Sequence, residues 1–471
     1  MRDRHFRAFA LLLAALTLAV YGWRLWQGSL FVWDESLTAE RSRELLVTGD
    51  WLTPHCLLEP DFRKPPLYYW LTAATSLLFG WDEITVRLWS ALFAIGCVAV
   101  VALLAGRLSG DRWAGLLAGF LLISNPHWVN WTRIGLLDSG FLFGLLAGAA
   151  LLLAQPRVPV HWAAAGACFA LGSLIKNPFA ILGLVIPLLH PESRERPGWI
   201  RALGATLAVY AALGLTWYGA QMLRWGGEYT RQFFVYNMVT RATTSIEGHG
   251  GGGGYYLRVW WNEAPLHVVL LVALLLWAVL CRRDLLRRHF CVLAPLLSVL
   301  VGLGVMASKR KLYLVYVHPF AAIVAGALLA AWLRQHRRLR PAVATALCAT
   351  AVAFFVRSYI PVIDETRDIK EIARAIAPRA RPGDLLLTHR MPPYAAMFYS
   401  GVLAREFPGW VPPDALDFTR GRPGGGLFLV ADRKQLPRLV QEAVAKAAAP
   451  VATESIATSG ALSAIRVSLA E

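Results

Sequence analysis

The chain has 471 residues, 56% of them hydrophobic and only 16% charged, with a mean hydropathy of +0.48. That balance excludes an ordinary soluble domain and places the chain among integral membrane proteins. The net charge of +17 does not imply a nucleic-acid partner, because most cations fall in short runs between apolar segments, as cytoplasmic anchors do.

The N-terminus, "MRDRHFRAFALLLAALTLAVYGWRLW", has the basic and apolar regions of a signal peptide but no clear small-x-small cleavage site. It reads as an uncleaved first span with its N-terminus inside. Further apolar segments run at about 84–106, 113–124, 138–154, 160–175, 178–190, 202–222, 264–281, 290–307, 313–333 and 341–360. If each crosses once, every second connection carries the cations: "GRLSGDRW" (106–113), "QPRVPVH" (155–161), "ESRERPGWIR" (192–201), "CRRDLLRR" (281–288) and "RQHRRLR" (334–340). All five then face the cytoplasm, as the positive-inside bias requires. The expected fold is an α-helical polytopic membrane protein with about 11–13 transmembrane helices. The six cysteines, Cys56, Cys97, Cys168, Cys281, Cys291 and Cys348, form no CxxC pair and give neither a disulfide framework nor a thiolate metal site.

The other connections face outward: 27–83, 125–137, the turn at Lys176, 223–263, 308–312 and everything after 361. In the first of these, "DESLTAERSRELLVTG" reads as a helix with Asp34 a possible N-cap and Gly49 its stop. "PPLYYWLTAATSLLFG" (65–80) is too short to span securely and reads as an interfacial or re-entrant helix. Beyond 361, "TRDIKEIARAIA" is amphipathic, "DLLLTH", "GLFLVAD" and "SAIRVSL" are strand-like, and "KQLPRLVQEAVAKAAA" is helix-like. The expected organisation is a transmembrane domain, 1–361, with outward catalytic loops 27–83 and 223–263, and a small periplasmic α/β domain, 362–471.

The chemistry-bearing residues collect on the outer side. They are Asp34 and Glu35 in "WDES", Arg63 and Lys64 in "RKPP", Asp138, Lys176 in "KNP", Arg241, His249 beside five glycines, and Lys309, Arg310 and Tyr313 in "SKRKLY". Cations and carboxylates on one face suit a phosphate-bearing lipid with a carboxylate working beside it. Blander roles stand next to these. Asp34 can cap a helix, Asp138 can complement a helix N-terminus, and Lys176 can snorkel from a helix end. The glycines after His249 can be a linker or an anion cradle. Lys309, Arg310 and Lys311 lie where the positive-inside bias predicts few cations, which favours phosphate binding over anchoring.

The order Asp-Glu after span one, "GDWLTPH", "KPPLYYWL", "VRLWSALF", Arg-x-x-x-x-Asp, "KNP", "GHGG" and "SKRKLYLVYVHP" resembles the polyprenyl-phosphate-sugar glycosyltransferases. More narrowly it resembles the bacterial branch holding the lipid A aminoarabinose transferase and protein mannosyltransferase-like enzymes. The resemblance covers roughly residues 30–320 and implies a GT-C fold in the bacterial inner membrane. It also implies transfer, with inversion, of a sugar from an undecaprenyl-phosphate-like donor to a lipid A, glycan or protein acceptor. By the same resemblance Asp34 is the essential carboxylate and Asp138 a second important acid, with Glu35 beside them as a catalytic candidate. Arg63, Lys64, Arg241, Lys309, Arg310 and Tyr313 would attend the donor phosphate, and His249 and Lys176 an acceptor or loop site. Arg63 stands where the family often has an acid before Lys-Pro-Pro, an acid linked in the aminoarabinose transferases, with a histidine, to a metal. No metal or other cofactor is therefore expected. The alternative class is a transporter or flippase of a lipid-linked sugar. Transporters tend to place ionisable groups near the midplane, often within inverted repeats.

Overall fold

The computed structural model describes residues 2–31, 33–154, 159–195, 197–245, 248, 250–359, 364, 366–407, 409, 411, 426–446 and 451–469. Along the chain, α1 (Arg2–Gly22) precedes α2 (Asp34–Thr48), a hairpin of β1 (His55–Cys56) and β2 (Glu59–Pro60), and α3 (Leu67–Phe79). Next come α4 (Glu83–Ser109), α5 (Arg112–Ile123), α6 (Pro126–Thr132), α7 (Asp138–Ala154) and α8 (Pro159–Ile175). They are followed by α9 (Pro178–Leu189), α10 (Trp199–Thr243), α11 (Tyr255–Glu263), α12 (Pro265–Cys281), α13 (Phe290–Val305), α14 (Lys311–Trp332) and α15 (Arg337–Ser358). The chain forms two compact units. One is Met1–Leu25, Phe62–Tyr68 and Arg87–Pro361; the other is Trp26–Asp61, Tyr69–Val86 and Val362–Glu471.

The first unit is helical among its described residues, and every one of the eleven predicted apolar segments is a helix. By length and composition α1, α4, α10, α14 and α15 can each cross a membrane, and α11 with α12, bent by 112°, can form a sixth span. The others are shorter apolar helices. Their contacts rely on small residues, as packing does where lipid removes the hydrophobic drive between helices. A Cβ on Gly326 of α14 would lie 2.7 Å from the Ala114 carbonyl of α5, and one on Gly144 of α7 would lie 2.6 Å from the Gly172 nitrogen of α8.

One expectation changes in this unit. The outer loop 223–263 is not mainly loop, because α10 continues to Thr243 and α11 follows it. Trp225, Tyr229, Phe233, Phe234 and Met238 pack with Trp217 and Tyr218 around Phe62, and this aromatic face carries the helix past two glycines. The helix does turn at Gly226, with φ 53° and ψ −123°. Segment 65–80 forms α3 of 13 residues, about 20 Å long, which is less than the roughly 30 Å of a hydrocarbon core.

The second unit contains a five-stranded sheet in the order β4 (Leu403–Phe407), β3 (Leu385–His389), β5 (Gly426–Asp432), β7 (Leu462–Leu469), β6 (Val451–Ser459). The pairings of β3 with β4 and β5 are parallel, and those of β7 with β5 and β6 antiparallel. Helices α16 (Arg367–Ile376), α17 (Tyr394–Ser400) and α18 (Leu436–Lys446) accompany it. One apolar layer joins Leu385, Leu387, Leu427 and Leu429 to Leu436 and Leu439 of α18. The other joins Leu386, Phe428 and Val430 to Ile369 and Ile372 of α16. That is the period-two alternation of a sheet covered on both faces.

Candidate functional site

In the first unit, α7 and α8 run antiparallel and meet closely at Gly144 and Gly172. The start of α7 and the end of α8 therefore come together, and they carry Asp138 and Lys176. Both side chains are buried, with Lys176 Nζ 2.5 Å from Asp138 Oδ1. The Tyr316 hydroxyl donates to the same oxygen at 2.5 Å and accepts from Lys176. A buried pair of opposite charges needs such extra hydrogen bonds to offset desolvation. Arg133, five residues before Asp138, turns away and donates to the Trp23 carbonyl at 2.6 Å.

The sequence picks out Tyr313, and the structure adds Tyr316. Residues Lys311–Tyr316 form a 3₁₀ turn, in which positions i and i+3 share a face. Both rings lie under the Lys176 ammonium, at 6.0 Å for Tyr313 and 5.0 Å for Tyr316. The Tyr-x-x-Tyr spacing of "KLYLVY" is the signal that would have found the second tyrosine.

The neighbouring cations divide. The Ala307 and Ser308 amides donate to the carbonyls of Ala242 and Arg241, which brings the Arg241 segment beside that of Lys309 and Arg310. Tyr256 supplies a second tie, its hydroxyl accepting from the Arg310 amide at 3.2 Å. Lys309, expected at the donor phosphate, is held by backbone carbonyls. Its ammonium donates to the carbonyls of Gly304 and Met306, both at 2.7 Å, at the end of α13, where a cation complements the orphan carbonyls. Arg63 and Lys64 are half-buried next to Phe62, whose ring packs on Trp225 and Tyr229. His249 lies outside the described residues.

A histidine chain behind this segment was not anticipated. Asn125 caps α6 by accepting from the Trp128 amide, so its Nδ2 faces His318 Nδ1 at 3.2 Å. His318 Nδ1 must then accept, leaving its Nε2–H to donate to His127 Nδ1 at 3.0 Å. His127 Nε2–H in turn donates to the Lys311 carbonyl at 3.0 Å. Each residue has one consistent role, and the chain fixes the start of the Tyr313–Tyr316 turn.

In the second unit, Asp34 is the first helical residue of α2, and Trp33 rather than Asp34 holds the N-cap position. The cap reading is thus corrected by one residue, since the backbone enters the helix before Asp34. Gly49 ends α2 with φ 70° as expected. Glu35 is fully buried and accepts from the Phe31 amide at 2.7 Å. That bond is a structural task for a residue first read as catalytic. The C-terminal part braces the same loop. The Tyr399 hydroxyl accepts from the Leu30 amide at 2.8 Å and donates to Glu83 at 2.6 Å, Thr366 donates to the Leu30 carbonyl, and Lys370 pairs with Glu83. Burial, then the Glu83 carboxylate, raise the Tyr399 phenol well above its ordinary value, which keeps its proton available for that bond. Tyr399→Phe is expected to lower activity several-fold, since each such bond contributes about 1 kcal/mol, while the protein remains folded; turnover and thermal stability measured in parallel check this.

Further along α2, Arg41 pairs with Asp61 at 2.5 Å, and Glu44 accepts from the amides of Leu57 and Leu58. Those two leucines have φ of 58° and 64°, the backbone of a type I′ turn that side chains other than Gly or Asn resist. The Glu44 carboxyl group holds that turn. Burial, then the neighbouring Glu40, push its carboxyl up to about 8.

The fold of the chain is that of the GT-C membrane glycosyltransferases. It superposes on ArnT from Cupriavidus metallidurans bound to undecaprenyl phosphate with a TM-score of 0.77, 98% of each chain covered and 18% identity. It superposes on the archaeal oligosaccharyltransferase AglB from Archaeoglobus fulgidus with a TM-score of 0.59 at 12% identity, covering 94% of this chain and 71% of that one. In sequence, residues 10–192 match the family described as dolichyl-phosphate-mannose-protein mannosyltransferase. The chain is also 29% identical over 276 residues to the undecaprenyl phosphate-alpha-4-amino-4-deoxy-L-arabinose arabinosyl transferase of Pseudomonas savastanoi pv. phaseolicola, across 55% of this chain and 49% of the relative. The chain spans about half the length of the curated relatives it matches. The resemblance to polyprenyl-phosphate-sugar glycosyltransferases stands, and the chain is a multi-pass membrane protein.

Proposed function

We propose that the protein transfers a sugar from a polyprenyl-phosphate donor to an acceptor at the outer face of the inner membrane. The observation that carries this reading is the buried Asp138–Lys176–Tyr316 cluster beside the Arg241 and Arg310 segments, in a chain similar to an undecaprenyl-phosphate-dependent arabinosyl transferase. The acceptor hydroxyl oxygen forms a bond to the anomeric carbon, and the bond from that carbon to the phosphate oxygen breaks. Polyprenyl phosphate leaves with the electron pair, and the acceptor's proton passes to Asp34. Lys64, Arg241 and Arg310 offset charge growing on the leaving phosphate. Lys176, held by Asp138 and flanked by Tyr313 and Tyr316, supports the same charge. The acceptor is a lipid A, glycan or protein group. Mass spectrometry of lipid A, envelope glycans and exported proteins, from cells with and without the protein, tests the reading; a sugar must disappear from one of these pools, and unchanged pools would overturn it.

The reading includes orientation. The N-terminus is cytoplasmic and residues 362–471 are periplasmic, supported by the alternation of basic connections. Reporter fusions at about residues 285 and 400 should read cytoplasmic and periplasmic respectively. The same side from both would refute this arrangement.

Catalysis needs no tightly bound divalent metal in this proposal. Arg63 does not fit a metal site, because a guanidinium has donors only and no lone pair to offer an ion. Transferase activity should survive exhaustive chelation; loss to chelator with recovery on adding zinc, manganese or magnesium would reverse the proposal.

A further inference from the structure

A second polar recess lies in the helical unit, away from the cluster just described. It has a volume of about 300 Å³ and is lined by Arg107, Leu108, Leu153, His190, Glu192 and Arg288, among others. Its position along the helices is informative. Asp138 begins α7, whereas Ala154 ends this 17-residue helix, about 24 Å away along its axis. α9 starts just after Lys176 and ends just before His190, and α13 starts after Arg288 and leads to Lys309. Each of these helices thus has a polar cluster at either end, so the recess lies at the opposite end of the helix bundle from the Asp138–Lys176 cluster.

The recess differs from a row of separate anchoring cations. Arg107 comes from the last turn of α4 and donates to the Ala150 carbonyl at 3.2 Å, which sets its guanidinium over the end of α7. Arg288 reaches the same place from the connection before α13. Its Nη2 lies 3.8 Å from where a Cβ on Gly110 would be, and Gly110 has φ 65°. The turn after α4 is therefore made by a residue whose conformation favours glycine and which leaves room for that guanidinium. Among the described residues, neither guanidinium pairs with a carboxylate. Leu108 and Leu153 add apolar surface to the lining, and His190 and Glu192 complete its polar part. Two forked donors beside apolar side chains at a helix-bundle end suit a phosphate carrying an acyl tail, with the cations outnumbering the one carboxylate, Glu192, in the lining.

We infer that this recess binds the phosphodiester headgroup of an anionic membrane lipid, at the membrane face opposite the proposed donor site. The inference rests on the membrane fold and not on the proposed reaction, and it needs no activity assay. In native mass spectrometry, the detergent-purified full chain is offered equal amounts of phosphatidylglycerol and phosphatidylcholine. Preferential retention of phosphatidylglycerol is expected, falling roughly fivefold for each guanidinium removed, the worth of one cation near an anionic headgroup. Arg288→Gln, at an exposed position, reads one cation with little risk to folding, and Arg107→Gln/Arg288→Gln reads both. Equal retention of the two lipids, or a preference unchanged in these variants, would overturn the inference. Glycerol 1-phosphate at millimolar concentration should not displace the lipid. Displacement would assign the recess to a soluble phosphate compound instead and overturn the lipid assignment.

Discussion

Asp34→Asn is expected to lower turnover by roughly 10²–10⁴-fold, the usual worth of general acid–base catalysis, while leaving the fold intact. The residue begins α2 without occupying its N-cap, and asparagine keeps the size and most of the hydrogen-bonding capacity of aspartate. A purely structural role would make the change nearly silent, because even a poor cap costs only about 0.5–2 kcal/mol. Donor binding should stay near normal, since the cations assigned to the phosphate are untouched. Lys64→Ala should instead weaken donor binding as well as turnover. An Asp34→Asn protein that retains more than about a tenth of wild-type turnover, above the low end of that range, would return this carboxylate to a structural role.

The second large effect concerns Asp138 and Lys176. Removing either partner of a buried pair leaves an uncompensated charge and costs about 3–5 kcal/mol. Lys176→Met and Asp138→Asn should each lower thermal stability markedly, along with activity. The double variant separates the two roles. With both charges gone, stability should largely return, because replacing a whole buried pair is often close to neutral. Turnover should not return, since Lys176 no longer supports the leaving phosphate. Recovery of both in the double variant would make the pair a packing device only.

Much of this arrangement was legible in the sequence because the membrane imposes a simple code. Runs of apolar residues gave the helices; the strands "DLLLTH" and "GLFLVAD" were visible because a covered sheet makes them nearly continuously apolar, and "SAIRVSL" because of its β-branched and aliphatic residues. The strands Leu403–Phe407 and Val451–Ser459 escaped notice because both are sheet edges, and the second is largely solvent-facing, so neither carries a hydrophobic run. Asp138 and Lys176 could each be singled out, but their pairing depends on a glycine contact between two helices 28 residues apart at that point. Tyr399 and Thr366 could not be connected to the Leu30 loop, because more than 330 residues of chain separate them from it. The Lys309 contacts were hidden for a related reason: a cation's sequence position does not reveal that helix-end carbonyls lie within its reach.

The most direct measurement is the fate of a labelled polyprenyl-phosphate sugar in liposomes containing the purified protein and a crude envelope acceptor fraction. The account predicts that the sugar–phosphate bond is cleaved, free polyprenyl phosphate accumulates, and label appears on the acceptor in equal amount. It also predicts that Asp34→Asn abolishes most of both signals. Movement of the intact donor across the bilayer, with no cleavage in the presence of acceptor, would contradict the account and identify a transporter.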